Sequence, residues 1–178
     1  MQPSINSVGG LMRTKGYVGQ QSRLTESITD SLVSSDATAV DFGSVVGRDP
    51  TNPKCLRRAR VTDELLGIVV RDPTPAPANS DGTVNFKQYA SVPFMRLGYI
   101  YAFPTEQVNA GDGVVAIFDG STGIFTGLGS TNGGVSTNRR LLKGHKWETT
   151  TPAMVTDVGQ DPGEISMGFS QSVNYITY

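Results

Sequence analysis

His145 is the single histidine and Cys55 the single cysteine of this 178-residue chain, so any acid–base or nucleophilic chemistry has little to draw on. A Ser-His-Asp or Cys-His arrangement would have to use His145. That residue lies among Lys143, Gly144 and Lys146, a setting that reads as a solvated turn. Cys55 is flanked by Lys54, Leu56, Arg57 and Arg58. Cations lower a thiol's pKa, but a lone cysteine is more often a small core residue. The same scarcity argues against a zinc site, which draws its ligands mainly from Cys and His. Asp112 and Asp119 sit in Gly-rich turns, where aspartate is expected for backbone reasons. Gly111-Asp112-Gly113 and Gly127-Leu128-Gly129 are Gly-x-Gly fragments that open no helix and lack the Lys-Ser/Thr sequel of a phosphate loop. Aromatic residues make up 8% of the chain, with one tryptophan, which does not suggest a sugar-stacking groove. No cofactor motif is found, and the expectation is a protein that adheres rather than one that catalyses.

Two basic clusters remain, Arg57-Arg58-x-Arg60 and Arg139-Arg140-x-x-Lys143. They read either as a solvated face with local ion pairs, or as groups that meet acidic patches on a partner and set its register. The formal net charge is -1, which lacks the basic excess of a nucleic-acid binder. No apolar run approaches the roughly 20 residues a membrane helix requires. Met1-Gln2-Pro3-Ser4 does not begin a secretory signal, and one cysteine permits no internal disulfide, which is compatible with a reducing cytosol.

The elements that must position these residues are strands. Hydrophobic residues are 37% and charged residues 17%, with 21 glycines and 10 prolines, a composition of short strands joined by many turns. Residues 1–22 carry no sustained period and read as an extended N-terminal arm, in which Tyr17 and Val18 are candidate contacts. Residues 23–178 read as one β-rich domain. Strands are expected from Leu24, at Asp41 to Val46, at Cys55 to Val61 and at Leu65 to Arg71, the last a nearly continuous apolar run ended by Asp72-Pro73. Pro73, Pro75 and Pro77 then make a stiff connector.

Ala90 to Phe103 is the longest candidate. Alternation places Phe94, Arg96, Gly98, Ile100 and Ala102 on one face and Met95, Leu97, Tyr99, Tyr101 and Phe103 on the other. Tyr99, Tyr101 and Phe103 are therefore core or subunit-interface candidates, beside Arg57, Arg58 and Arg60. Val114 to Phe118 and Ile124 to Thr126 form a hairpin across Asp119 to Gly123. Gly127 to Asn138 reads as a mobile Gly/Ser-rich loop. Trp147 to Thr150, Met154-Val155 and the alternating stretch from Gly163 through Phe169 to Tyr175 complete the strands. Thr62 to Leu65 and Asn138 to Lys143 are the only places for a turn of helix, and no internal repeat is present. The fold class is all-β, a barrel or sandwich with an arm and a long loop.

The order of several segments carries a resemblance. They are Phe42-Gly43-Ser44-Val45-Val46-Gly47-Arg48, Leu66-Gly67-Ile68-Val69-Val70-Arg71-Asp72, and Tyr89-Ala90 through Pro93, Arg96 and Gly98-Tyr99-Ile100-Tyr101. Val108 through Phe118, Gly123 to Thr126, Trp147-Glu148-Thr149 and the strand from Gly163 follow. Over roughly residues 24–176 this order resembles the structural cement (decoration) proteins of tailed bacteriophage capsids. The resemblance implies a β-rich protomer on the outer capsid surface, made in the host cytoplasm. Its implied partner is the major capsid protein, bound across subunit junctions by a homo-oligomer, with a trimer favoured. It implies no catalytic residues, while the charge balance, the short apolar runs and the missing motifs are what argue against nucleic-acid, membrane or cofactor contact. The competing reading is a receptor- or glycan-binding β module of a tail fibre or cell surface.

Overall fold

The computed structural model describes residues 7–8, 11–12, 16–23, 25–71, 85–134, 136–154 and 161–168. Two short strands, β1 (Ser7–Val8) and β2 (Leu11–Met12), pair with each other. The body is built from β3 (Ile28–Ser34), β4 (Val40–Asp41), β5 (Val45–Arg48), β6 (Cys55–Arg58), β7 (Leu65–Val69) and β8 (Asn85–Phe86). It continues with β9 (Ser91–Ala102), β10 (Gly113–Phe118), β11 (Phe125–Ser130), β12 (Arg139–Trp147) and β13 (Gly163–Met167).

Strands β9, β3, β6, β5 and β7 pair in that order, and β7 returns to β9, so the sheet closes into a barrel. Closure removes the unpaired edges that would otherwise template aggregation. By register, Val46, Leu56, Val69, Val92 and Phe94 share one face of the ring, and they pack together as its interior with Val40 and Phe86. A second sheet runs β11-β10-β12-β13 and joins the barrel through the far half of β9. Between the two lies the larger core, which includes Ile68, Met95, Ile100, Phe118, Leu128, Trp147 and Ile165.

One strand thus serves both layers, and a bulge makes this possible. Ile28 faces Leu97 while Thr29 faces Met95, leaving Arg96 as an extra residue. An extra residue inverts the alternation of everything beyond it. Before the bulge, Val92 and Phe94 point into the barrel; beyond it, Ile100 and Ala102 point into the second core with Met95. Gly98 supplies the φ of 127° that the bend requires. The uninterrupted faces expected for residues 90–103 are corrected accordingly: Phe94 and Ile100 belong to different cores, and Tyr99, Tyr101 and Phe103 are half-buried on the face that turns away from the second core.

Gly67 closes the barrel seam. A Cβ there would collide with the backbone carbonyl oxygen of Met95 on β9, a neighbour that cannot rotate away. Gly67→Ala is expected to cost about 1–3 kcal/mol through overpacking, measured as a lower urea midpoint; an unchanged midpoint would show that the seam is slack.

Other expectations meet corrections. The strand expected from Leu24 starts at Ile28, and the one expected at Asp41 to Val46 is split by a turn, with Gly43 at φ 74°. Gly127 to Ser130, expected to be loop, is strand, because close approach of Thr105 and Glu106 to Gly127 and Gly129 leaves no room for side chains. Asn138 to Lys143 holds no helical turn; β12 begins at Arg139. The proline connector, Val155 and residues 169–178 lie outside the described residues. Residues 16–22, assigned to the arm, include a stretch hydrogen-bonded along β9. Gly19 and Ser22 donate their N–H groups to the Tyr101 and Tyr99 carbonyls, and Tyr101 donates its own to Gln20. They continue the line of β3, so one edge of β9 is paired by Gly19 to Ser22 and by Ile28 to Val33.

Candidate functional site

The residues expected to face a partner do not converge. Tyr17 and Val18 stand near Phe42, Arg71 and Phe103. The Arg71 guanidinium lies 4.7 Å from the Tyr17 ring centroid and 5.4 Å from that of Phe42, and Val18, Phe42, Arg71 and Phe103 line a cavity of about 290 Å³. Tyr101 is held by backbone bonds to Gly19 and Gln20. Tyr99 lies under the guanidinium of Arg23, 4.2 Å from its centroid. Arg23 in turn makes a forked pair with Glu164 (2.9 and 2.8 Å), which also accepts the Ser22 hydroxyl at 2.6 Å. This whole surface is the seat of the chain's own N-terminal segment.

The basic cluster on β6 is engaged mostly within the molecule. Arg57 forks onto Asp63 (3.0 and 2.6 Å), with side-chain exposures of 17% and 2%. Arg58 meets Asp41 at 3.1 Å and the Ala39 carbonyl at 2.8 Å. Arg60 alone is exposed, its guanidinium free of ion pairs among the described residues. In the second cluster, Arg139 holds Glu106 and the Ser130 carbonyl. Arg140 is buried and donates to the carbonyls of Arg60, Val61 and Asp63. Lys143 has no ion pair among the described residues.

A cavity of about 500 Å³ opens between β3, β7 and β12. Its charges are already matched in part, Asp30 with Arg96 at 3.0 Å and Arg48 with Glu64 at 2.7 Å. His145 also lines it, in a strand and half-buried rather than in the solvated turn expected. Its Nδ1 lies 2.9 Å from the Lys143 carbonyl oxygen and donates to it, so the ring is tied to its own backbone. The cavity's described lining contains no Cys, and no group of His, Cys, Asp and Glu is placed to hold a metal among the described residues.

These environments set the acid response. Burial pushes His145 below its ordinary value. Hydrogen bonds from Arg139, then the Ser130 N–H, hold Glu106 below the carboxylate range, and the Ser35 hydroxyl with the Thr51 N–H does the same for Asp49. Each folded pKa is depressed, so the unfolded chain binds the proton first as pH falls, and stability is lost on acidification. The His145 contribution is fully present above about pH 6.5 and fades below it; the carboxylate contributions fade below about pH 4. Urea midpoints from pH 8 to 3 are expected to decline in these two stages, and His145→Gln should flatten the upper stage alone.

A second set of residues carries no sequence signal. Tyr89 is 76% exposed and Val33 41%, the exposed large apolar residues among those described. Tyr89 also has a φ of 66° and is the one non-glycine described residue with a positive value. Alternation and composition give no warning of either property.

A structural cement protein family model, described as that of E217 gp24 and Pam3 gp6, matches residues 6–164. The chain belongs to this family. A solved structure of the capsid of Myoviridae Phage XM1 contains a chain similar to this cement protein. The two superpose with a TM-score of 0.61 at 13% identity, over 90% of this chain and 97% of that one; at that identity the likeness bears on the fold. No curated protein matches the chain. As a structural cement protein it is a capsid-associated component of a phage virion, and the family implies a structural rather than catalytic role.

Proposed function

We propose that this cement protein binds the outer surface of the phage head across junctions between major capsid subunits, as a homo-oligomer, most simply a trimer, and holds the shell against the pressure of packaged DNA. The observation that carries the reading is the family match over residues 6–164. The closed barrel and the doubly used β9 support it, since both resist shear without needing a pocket. Binding to the assembled shell and not to free subunits stabilises the shell by mass action. Attachment through several copies multiplies weak contacts, by about 10²–10⁴ where geometry allows.

Purified protein added to expanded, undecorated capsids is expected to bind and to raise their thermal and osmotic resistance. Binding to host cells with capsid resistance unchanged would instead favour a receptor-binding module.

The N-terminal segment divides at Gly16 in this reading. Removal of residues 1–15 is expected to leave the melting temperature within a few degrees of the full chain while weakening capsid binding. Removal through Arg23 should also lower the melting temperature, because β9 loses its backbone partners and Glu164 loses both Ser22 and Arg23. Scanning calorimetry paired with capsid sedimentation separates the two effects. Equal capsid binding by the shorter deletion would remove residues 1–15 from the mechanism.

A further inference from the structure

We infer that Tyr89 is an anchor by which this protein docks on an acid-rimmed apolar pocket of the capsid shell; this rests on the cement reading above. The backbone shows the first sign. Tyr89 occupies the left-handed region at φ 66°, which glycine enters freely and a bulky side chain rarely does. The fold enforces this position: the Tyr89 N–H donates to the Ser34 carbonyl at 2.8 Å, Ala90 closes the turn onto the Lys87 carbonyl at 3.1 Å, and Gln88 holds the Ser35 carbonyl. The ring has no aromatic or cation–π partner among the described residues and is 76% exposed. The turn's hydrogen bonds hold the backbone, but no ring contact among the described residues accompanies the strained placement, and strain of this kind collects at contact and switch sites.

The surroundings indicate the occupant. Val33 pairs with Cys55 of β6 on one side and with Ser91 of β9 on the other, so these three share one face of the barrel wall beside the Tyr89 turn. Val33 is 41% exposed, which extends the apolar surface. Two exposed lysines border it: Lys54 precedes Cys55, and Lys87 opens the turn. Neither has an ion pair among the described residues. The nearby acids are already engaged, Asp41 with Arg58 at 3.1 Å. Asp36 accepts the N–H groups of Thr38 and Arg58, and Asp49 is buried and accepts that of Thr51. An aromatic knob bordered by two lysines that have no ion pair among the described residues calls for a partner pocket with an acidic border. A second copy of this chain joined through the same patch about a two-fold axis would set lysine against lysine, so the capsid surface is the partner favoured. Tyrosine is among the residues that dominate binding energy when seated in a desolvated pocket.

The test uses Tyr89→Gly, which removes the ring and suits the backbone, with Tyr89→Phe and Lys54→Glu/Lys87→Glu beside it. Wild-type binding to undecorated capsids is measured first, and its absence would defeat the cement reading itself. Given that binding, Tyr89→Gly is expected to keep its melting temperature within a few degrees and its oligomeric state unchanged, yet lose at least about tenfold in capsid affinity. Tyr89→Phe should retain most of the affinity, and the double lysine reversal should lose it together with its salt dependence. Wild-type affinity in Tyr89→Gly overturns the anchor. A change of oligomeric state with capsid affinity per oligomer preserved overturns it in favour of a contact between copies.

Discussion

Trp147→Ala is expected to lower the unfolding free energy by about 4 kcal/mol, the largest loss from any single truncation in this protein. Trp147 ends β12 and is completely buried. Its indole Nε1–H donates to the Gly129 carbonyl of β11 at 2.9 Å. Its ring covers Gly163 at the start of β13, where even a Cβ would come within 2.5 Å of it. One side chain therefore ties three strands of the second sheet together, and alanine would leave a large void and remove the indole hydrogen bond. Against a typical total stability of about 5–15 kcal/mol, such a loss removes between roughly a quarter and most of the total. The check is the urea midpoint at constant denaturant slope. Trp147→Phe, which retains much of the volume and loses the N–H bond, should lose clearly less. Equal losses in the two variants would mean that the hydrogen bond, not the volume, carries the effect.

Arg57→Met should be almost as damaging, at about 3 kcal/mol, although Arg57 reads as a surface residue in the sequence. The cause is Asp63, whose side chain is 2% exposed. Its carboxylate accepts both nitrogens of Arg57 and the N–H of Arg60 at 3.0 Å. Removing the guanidinium strands a buried charge, which costs more than the pair itself contributes. The double variant Arg57→Met/Asp63→Asn is therefore expected to be more stable than Arg57→Met alone, and a double-mutant cycle on urea midpoints measures the coupling. Additive losses would show that the pair is solvated in practice. Arg140 grips the same turn from the second sheet through the carbonyls of Arg60, Val61 and Asp63. The turn is thus a joint between the barrel and the flanking sheet, and weakening it should loosen the two layers together.

Much of the architecture is legible in local pattern. The β10–β11 hairpin follows from Asp119 to Gly123, where the Asp119 carboxylate accepts the N–H groups and hydroxyls of Ser121 and Thr122. That local chemistry also holds its pKa well below the ordinary aspartate range, Ser121 contributing most. The apolar run at β7 and the alternation of Ile165 and Met167 were equally plain. Elements became obscure where distant residues decide. Gly127 to Ser130 reads as loop because its composition is loop-like, and it is strand because β10 pairs with it and Thr105 and Glu106 crowd it. Residues 16–22 lack any period, and Gly19 to Ser22 are ordered by the free edge of β9.

The sequence by itself determined the all-β class, the poverty of catalytic groups and, through the order of its strand segments, the cement family. These are properties of composition, short-range period and chain order, which need no knowledge of what meets what. Only the tertiary structure decided which charges face out. Arg57 and Arg140 look like their exposed neighbour Arg60 until Asp63 and three turn carbonyls arrive from elsewhere in the fold. It alone revealed the inverted faces of β9, since a single bulged residue shifts a two-residue period without changing the residue types. It alone raised Tyr89 out of the wall, because φ at one turn and the exposure of one ring are fixed by the strands on either side.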